Sequence, residues 1–359
     1  MKNILISDIP KKNKVKYRQI VLSSVFCIFL LINVPFCKLN PVSGSEYLYT
    51  GTSAAALASA GSGAARFDDI TLAGLNPSAA SRLLRNNITA SWGLFGNFHT
   101  FFGMASIPTL WGVISGSYTG IFSLSENSAD IGKLHKVKIN FSKDISEEWN
   151  FGMSFNALIG SQNNTNPFGA GADLGLIKTR KFTGRSKFYL DEFRYSLVLA
   201  NLGISASYRN IPGFENTDRL EPMRLTGGVF LGFAKIGPWR LDYSADLSLC
   251  ALPFNLLINT ALGSTFTFNK ILHSIFIGGG YIFSGDIGTP NIGPWSAGAR
   301  FCFRFNKTDL VVSYTLFPEK TSGAGKIAHL FALGAALGKI DKTSPQIEIQ
   351  SENGEAVKE

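Results

Sequence analysis

The sequence predicts an all-β fold, a transmembrane antiparallel β-barrel of about 14 strands. Three observations carry that reading: an export-type N-terminus, a body poor in charge, and segments in which every second residue is apolar. Charged residues make up 16% of the 359 positions, against about 25% in an ordinary soluble chain. Phe occurs 29 times beside 37 Gly. Low charge with that much Phe and Gly excludes a coiled coil or a disordered acidic segment. It also argues against an enzyme with a charged, hydrated exterior. Much of this surface is expected to touch something other than water.

Residues 1–45 read as a secretory signal peptide. Met1–Arg18 is basic, Ile20–Val34 is an apolar block of 15 residues, and Pro35 and the small run Val42-Ser43-Gly44-Ser45 follow. That is the order of n-region, h-region and cleavage site. The uncharged window Gln19–Cys37 approaches the length of an anchor helix, but Pro35 and the small residues favour cleavage near Ser45. The same stretch accounts for most of the formal charge of +9, which alone would suggest a nucleic-acid partner. It holds seven of the 34 Lys/Arg and one of the 25 acids, leaving 27 against 24 elsewhere. A balanced body has no basic stripe, so no nucleic acid is expected. Cys27 and Cys37 would leave with the signal, and Cys250 and Cys302 alone are no disulfide framework.

Residues 87–338 carry the strand pattern. Asn86–Ser125 lacks formal charge apart from His99, yet Gly93, Gly96, Gly103, Gly112, Gly116, Gly120 and Pro108 interrupt it. No stretch there reaches the ~20 apolar residues of a spanning helix. Elsewhere the period is two. In Trp239–Cys250, Trp239, Leu241, Tyr243, Ala245 and Leu247 oppose Arg240, Asp242, Ser244, Asp246 and Ser248. In Trp295–Asn306, Trp295, Phe301, Phe303 and Phe305 oppose Ser296, Arg300, Cys302, Arg304 and Asn306. Val137, Ile139 and Phe141 oppose Lys136, Lys138 and Asn140, and Phe193, Tyr195 and Leu197 oppose Glu192, Arg194 and Ser196. Segments of ~10 residues suit tilted transmembrane strands. Short links such as Ser146–Glu148 alternate with long polar ones such as Ser123–Leu134, the layout of an outer-membrane barrel. Closure follows, because lipid cannot satisfy an open sheet edge. The apolar set, including Leu247 and Phe301, is expected to face outer-membrane lipid, with Trp111, Trp149, Trp239 and Trp295 in the interfacial girdles.

The stretch 46–86 has a different character. It is rich in Ala, Gly and Ser and shows no alternation. A short helix is expected over Ser53–Ser59, and Asn76-Pro77 reads as an N-cap followed by the first position of a second one. Its side chains are too small for an independent core. It is therefore expected to be ordered by packing against the barrel wall, with Asp68 or Asp69 paired to an inward Arg.

The run Gly61–Ala80, G-x-G-A-A-R-F-D-D followed six residues later by N-P-S-A-A, resembles the N-terminal signature of the FadL-like outer-membrane proteins, PorV/PorQ-type and spirochaetal relatives among them. Asn76-Pro77-Ser78-Ala79 departs from that family's Asn-Pro-Ala element by one extra Ser. Gly171-Ala172-Asp173-Leu174-Gly175-Leu176, Ala200-Asn201-Leu202-Gly203 and Glu221-Pro222-Met223-Arg224-Leu225 echo further family segments, in order. The resemblance implies a 14-stranded barrel with an N-terminal hatch (Asp68, Asp69, Asn76, Pro77) inside the lumen. It also implies passive uptake of hydrophobic small molecules such as long-chain fatty acids, with lateral release into the membrane. Alternation itself supplies an inner face carrying Lys136, Lys138, Arg194, Arg240, Asp242, Asp246, Arg300 and Arg304. An Arg fork there suits a carboxylate headgroup. The same charges, as Asp242/Asp246 facing Arg300/Arg304 across the lumen, would equally serve to brace the barrel.

No catalytic residue, metal site or cofactor is expected. The four His (His99, His135, His273, His329) are scattered, and no H-E-x-x-H, C-x-x-C, G-x-S-x-G or P-loop occurs. Two classes of function stay open: a passive transporter, and a non-transporting barrel that docks or shuttles exported proteins or serves as a surface antigen. A general diffusion porin would need an unplugged lumen. Oligomeric state is left open. The polar tail 339–359 is expected to be disordered on the periplasmic side.

Overall fold

The computed structural model describes residues 54–67, 69–95, 98–123, 133–161, 168–182, 189–204, 223–233, 238–250, 255–268, 271–284, 295–318 and 327–338. The expected signal peptide 1–45, Asp68 and the tail 339–359 lie outside the described residues.

Fourteen strands form: β1 (Asn86–Phe95), β2 (Phe98–Thr109), β3 (Gly112–Ser123), β4 (Lys133–Asp144), β5 (Trp149–Ser161), β6 (Phe168–Lys181) and β7 (Leu190–Ile204), then β8 (Arg224–Phe233), β9 (Trp239–Cys250), β10 (Asn255–Thr267), β11 (Leu272–Ser284), β12 (Trp295–Phe305), β13 (Thr308–Pro318) and β14 (Ile327–Leu337). Each pairs antiparallel with its sequence neighbours, and β1 closes the sheet on β14. The closing register runs from Asn86 opposite Leu337 to Leu94 opposite His329, without a shift. No strand edge is left.

The wall is two-faced in the reverse of the soluble sense. On β4, Ile139 is 62% exposed between Lys138 at 8% and Asn140 at 2%. Phe155, Leu197, Leu262, Ile277 and Phe301 are likewise exposed, while Ser154, Asp173, Ser244, Asp246 and Thr315 are buried. Apolar outside and polar inside is the arrangement of a barrel whose outer solvent is hydrocarbon. Three Trp of the expected girdles, Trp111, Trp149 and Trp239, stand at the end with the tight turns, and only Trp295 starts at the opposite end. One such turn is Asn306-Lys307 between β12 and β13, where Asn306 takes φ +52°, a conformation Asn tolerates.

Inside the barrel runs the segment 54–85. It holds one helical turn, α1 (Ala54–Ala58), and two 3₁₀ turns, Ile70–Gly74 and Pro77–Ala80. Asp69 caps the first, accepting from the Thr71 amide at 2.8 Å, and Asn76 caps the second, accepting from Ser78 at 3.0 Å. The segment's own apolar cluster is small, Ala56, Leu72 and Ala79 with Phe67 and Leu75, and the wall completes it. Ile70, Ala73 and Ala80 pack on Phe102, Met104 and Val113 of β2 and β3, Leu72 and Ala79 on Ile177 of β6, and Ala64 on Val198 and Ala200 of β7. The core of this molecule is its lumen.

Phe301 lies near the middle of β12 on the lipid face. Replacing it with Arg should cost about 2–4 kcal/mol, read from denaturant-refolding curves in lipid vesicles; an unchanged midpoint would reverse the assignment of faces.

Candidate functional site

The inner segment and the wall are joined by contacts of three kinds. The first is steric. Gly152 of β5 and Gly175 of β6 are cross-strand partners on the inner face. A Cβ on Gly152 would collide with Pro77 and Ser78, and one on Gly175 with Asn76 and Pro77. This glycine pair is a notch that receives Asn76-Pro77. Within it, the Asn76 amide donates to the Ala64 carbonyl at 2.6 Å and accepts from the Ser78 hydroxyl at 2.7 Å. Asn140 of β4 donates to the Pro77 carbonyl at 3.2 Å.

The second kind satisfies backbone groups that the short turns leave open. Asp246 of β9 accepts with one carboxylate oxygen from the amides of Gly63 (2.8 Å) and Ala64 (2.9 Å). The Ser62 and Ser244 hydroxyls bond at 2.9 Å. Ser296 accepts from the Ala60 amide at 3.0 Å, and Thr315 donates to the Ala54 carbonyl at 2.7 Å. Wall side chains thus replace the caps that a lone segment of this length lacks.

The third kind is ionic. Asp69 lies 3.1 Å from Arg300 of β12, and Arg85 bonds Asp309 of β13. Asp309 is also held by Arg304 at 2.9 Å. Lys138 pairs with Asp173 at 2.6 Å and donates to the Gly74 carbonyl at 3.0 Å; Lys136 is buried on the same face. Glu192 joins Arg194 (2.7 Å) to Arg240 (3.1 Å), which also bonds Asp242 at 2.8 Å. Phe67 of the inner segment lies between the guanidinium groups of Arg82 (4.6 Å) and Arg194 (5.0 Å).

The structure corrects one expectation. Asp242 and Asp246 do not brace against Arg300 and Arg304, because β10 and β11 separate β9 from β12 and the inner segment lies between. Each charge meets a nearer partner instead. The partners themselves, Asp173, Glu192, Asp309 and Arg85, are not among the inward charges singled out from the sequence, although alternation sets Glu192 on the inward face with Arg194. Asp173 sits where the β6–β7 register shifts, and accepts from the Asn201 amide at 2.7 Å. Asn201 there has φ +60°. The two motif echoes of residues 171–176 and 200–203 therefore meet at one bulge, a signal that was present in the sequence.

Beside the Asp69–Arg300 pair lies a cavity of ≈ 220 Å³, bounded by Ile70, Thr71 and Leu83 of the inner segment and by Cys302, Ser313 and Gly334 of the wall. It is mixed in character. The Arg300 guanidinium, the Asp69 carboxylate and the Asn87 amide supply its polar lining, and the rest is hydroxyl, thiol or apolar.

No protein-family model and no curated protein matches the chain. Solved structures do. A TodX monoaromatic hydrocarbon channel carrying the deltaS2S3 change matches with TM-score 0.50 at 12% identity, over 80% of this chain and 99% of that one. The toluene transporter TbuX of Ralstonia pickettii gives 0.49 at 9% identity, over 80% and 99%. A FadL homologue of Pseudomonas aeruginosa gives 0.46 at 11% identity, over 80% and 98%. Identities this low speak to fold alone, and the fold is that of the FadL-like outer-membrane channels.

Two substitutions separate the contacts. Asp246→Ala leaves the Gly63 and Ala64 amides without their acceptor, each worth about 1–3 kcal/mol when buried; amide hydrogen exchange of residues 59–66 should accelerate while the β9 ladder stays protected. Gly175→Val should expel Asn76-Pro77 from its notch and expose the inner segment to limited proteolysis. Unchanged digestion of that variant would show the notch to be looser than its geometry implies.

Proposed function

We propose that this chain is an outer-membrane barrel for the uptake of hydrophobic compounds by passive diffusion, with residues 46–86 as a hatch across the barrel 87–338. In this reading residues 1–45 are the export signal and 339–359 a periplasmic tail. The observation that carries it is a lumen crossed by a segment of mostly small residues that relies on the wall to complete its core and is tied to it at one point by an exchangeable ion pair. Segments of that kind open at low free-energy cost while the surrounding ladder stays intact.

The Asp69–Arg300 pair is the proposed latch. It borders the cavity, and it joins the hatch directly to the wall. A long-chain fatty acid entering there would present its own carboxylate to Arg300, in a geometry the guanidinium fork accepts equally well. Asp69 would then be released and the hatch would shift. The cavity of ≈ 220 Å³ holds a headgroup and a few carbons, so an acyl chain needs that shift in order to pass. The channels of like fold are named for toluene and monoaromatic hydrocarbons, which supports a hydrophobic substrate class and leaves fatty acid as the finer proposal.

A second reading is favoured by the density of hatch–wall contacts around Asn76 and Asp246: a permanently plugged barrel that docks or shuttles an exported protein, or serves as a surface antigen. Uptake of labelled toluene and labelled palmitate into proteoliposomes separates the two. Because the pair is largely covered, removing one partner leaves the other charge poorly compensated, and Asp69→Asn should raise the hatch-open population, and the initial uptake rate, by at least about fivefold. Deletion of residues 46–80 should add leakage of small polar solutes in a swelling assay. A folded barrel that takes up neither substrate, with D69N and the deletion both silent, would favour the docking reading.

A further inference from the structure

Three of the four histidines stand on the outer wall in one repeated arrangement. His329 is the register partner of Leu316, His99 of Leu94, and His135 of Gly120. In each case an aromatic ring lies two residues before that partner and reaches the imidazole diagonally. The Tyr314 hydroxyl bonds His329 Nδ1 at 2.6 Å, and the Tyr118 hydroxyl bonds His135 Nδ1 at 2.7 Å. Trp92 stacks on His99, with ring centroids 5.6 Å apart. The three pairs occupy β13/β14, β1/β2 and β3/β4, six consecutive strands across the closing seam.

The rings between them make this one surface. Phe331 is the partner of both Tyr314 and Trp92, and Trp92 is also the partner of Phe101. Phe122 meets His135 edge-on at 5.4 Å. His329, His99 and Lys133 belong to a single cross-strand row, through Leu94 and Phe122. Each histidine lies within the first three residues of its strand, so all three stand at the same end of the barrel, the one that holds the β3–β4 and β13–β14 links and the two-residue β1–β2 link. On β4 the outward residues between His135 and Lys143 are Val137, Ile139 and Phe141. Ten residue steps from Lys133 to Lys143, at ~3.4 Å each on a strand tilted about 45°, rise about 25 Å, the height of the apolar band of such barrels. The row therefore stands where hydrocarbon gives way to headgroups.

Its chemistry is that of an anion surface. Among the described residues of these six strands the only carboxylates, Asp144 and Asp309, sit on the inward face. On His135 and His329 a Tyr hydroxyl on Nδ1 fixes the imidazole ring and leaves Nε2 as the atom for a third group, which no described residue supplies. His99 is held by the Trp92 stack, and its Nδ1 is buried without a hydrogen-bond partner among the described residues. A generic aromatic girdle needs no such orientation. We infer that this sector binds the phosphate headgroups of membrane lipids, with His99, His135 and His329 donating through Nε2 and Lys133 adding fixed positive charge. The aromatic row beneath receives the upper acyl chain.

The test uses the full chain, purified with phosphatidylglycerol, with a galactosyl diacylglycerol of the same acyl chains, or with inorganic phosphate alone. Native mass spectrometry counts the bound lipid. The wild-type protein should retain phosphatidylglycerol over the phosphate-free lipid, and H99F/H135F/H329F should lose that preference by about tenfold. Y118F/Y314F keeps the packing and removes only the hydroxyls on Nδ1; it should weaken retention partway, and it stands in if the triple variant fails to fold. Equal retention of both lipids by the wild-type protein would overturn the inference. So would an undiminished preference in both variants, displacement of the lipid by equimolar inorganic phosphate, or a dimer of the chain that dissociates on substitution.

Discussion

In hydrocarbon an unpaired peptide group costs several kcal/mol, and the β1–β14 register is where this chain avoids that cost. Nine consecutive residue pairs, Asn86/Leu337 to Leu94/His329, close the sheet with no bulge. Everything else depends on that closure. A closed wall has one face for lipid and one for the lumen, so each strand must alternate, and the chain can then spare few charges for its exterior. Fourteen strands also enclose more space than their own side chains fill, since eight strands give an interior just wide enough for that. The leftover volume gives the Ala/Gly/Ser-rich segment 54–85 a place to fold. It borrows the wall as its core.

The attachments of that segment are unequal in kind, and the inequality matters more than their number. The Gly152/Gly175 notch is a steric fit: it loses contact steeply with displacement. Asp246 is a fixed acceptor for two amides, and withdrawing it leaves both unsatisfied in a dry interior. The Asp69–Arg300 pair differs, because either partner can exchange the other for water or for a guest of like charge beside a cavity. Both side chains of this pair are largely covered, so its net worth depends on what replaces a departing partner. A segment pinned sterically at residues 76–77 and by Asp246 at 63–64, and by an exchangeable charge at Asp69, has its compliant part defined by chemistry rather than by loop length.

Alternation made most of the wall legible. The run Trp239–Cys250 is a strand over those same residues, and the expected Trp295–Asn306 ends one residue earlier because Asn306 turns at positive φ. Which side chains point inward follows from parity, since a strand has no other period. What each inward charge touches does not follow. Opposite charges on β9 and β12 look complementary in a list of faces, but two strands lie between them. Glu192 was set on the inward face by the same parity as Arg194, but its role in joining Arg194 to Arg240 was not; Asp173 sits at the register shift Ala172/Leu174, where counting by twos fails. The inner segment was legible only in its caps and composition, because its order comes from wall surfaces distant in sequence, 63 residues away for Asn140 and 261 for Thr315.

The outer surface carries a further asymmetry that an apolar band alone does not require. At the tight-turn end stand Trp111, Trp149 and Trp239; Trp149 has the Lys178 ammonium 4.5 Å over its ring, and Trp239 donates to the Ser264 hydroxyl at 2.9 Å. At the other end the sector around the closing seam is built of imidazole, phenol and Lys133. Indole and imidazole both suit an interface, but an oriented imidazole with a free nitrogen discriminates among headgroups, whereas an indole mainly fixes depth. A barrel with different chemistry at its two rims is held at one height and in one direction. That matters in particular under the proposed role as a passive carrier. If the hatch is the part that moves, the wall must stay put, and the closing seam is both where the sheet joins and where the proposed headgroup contacts lie.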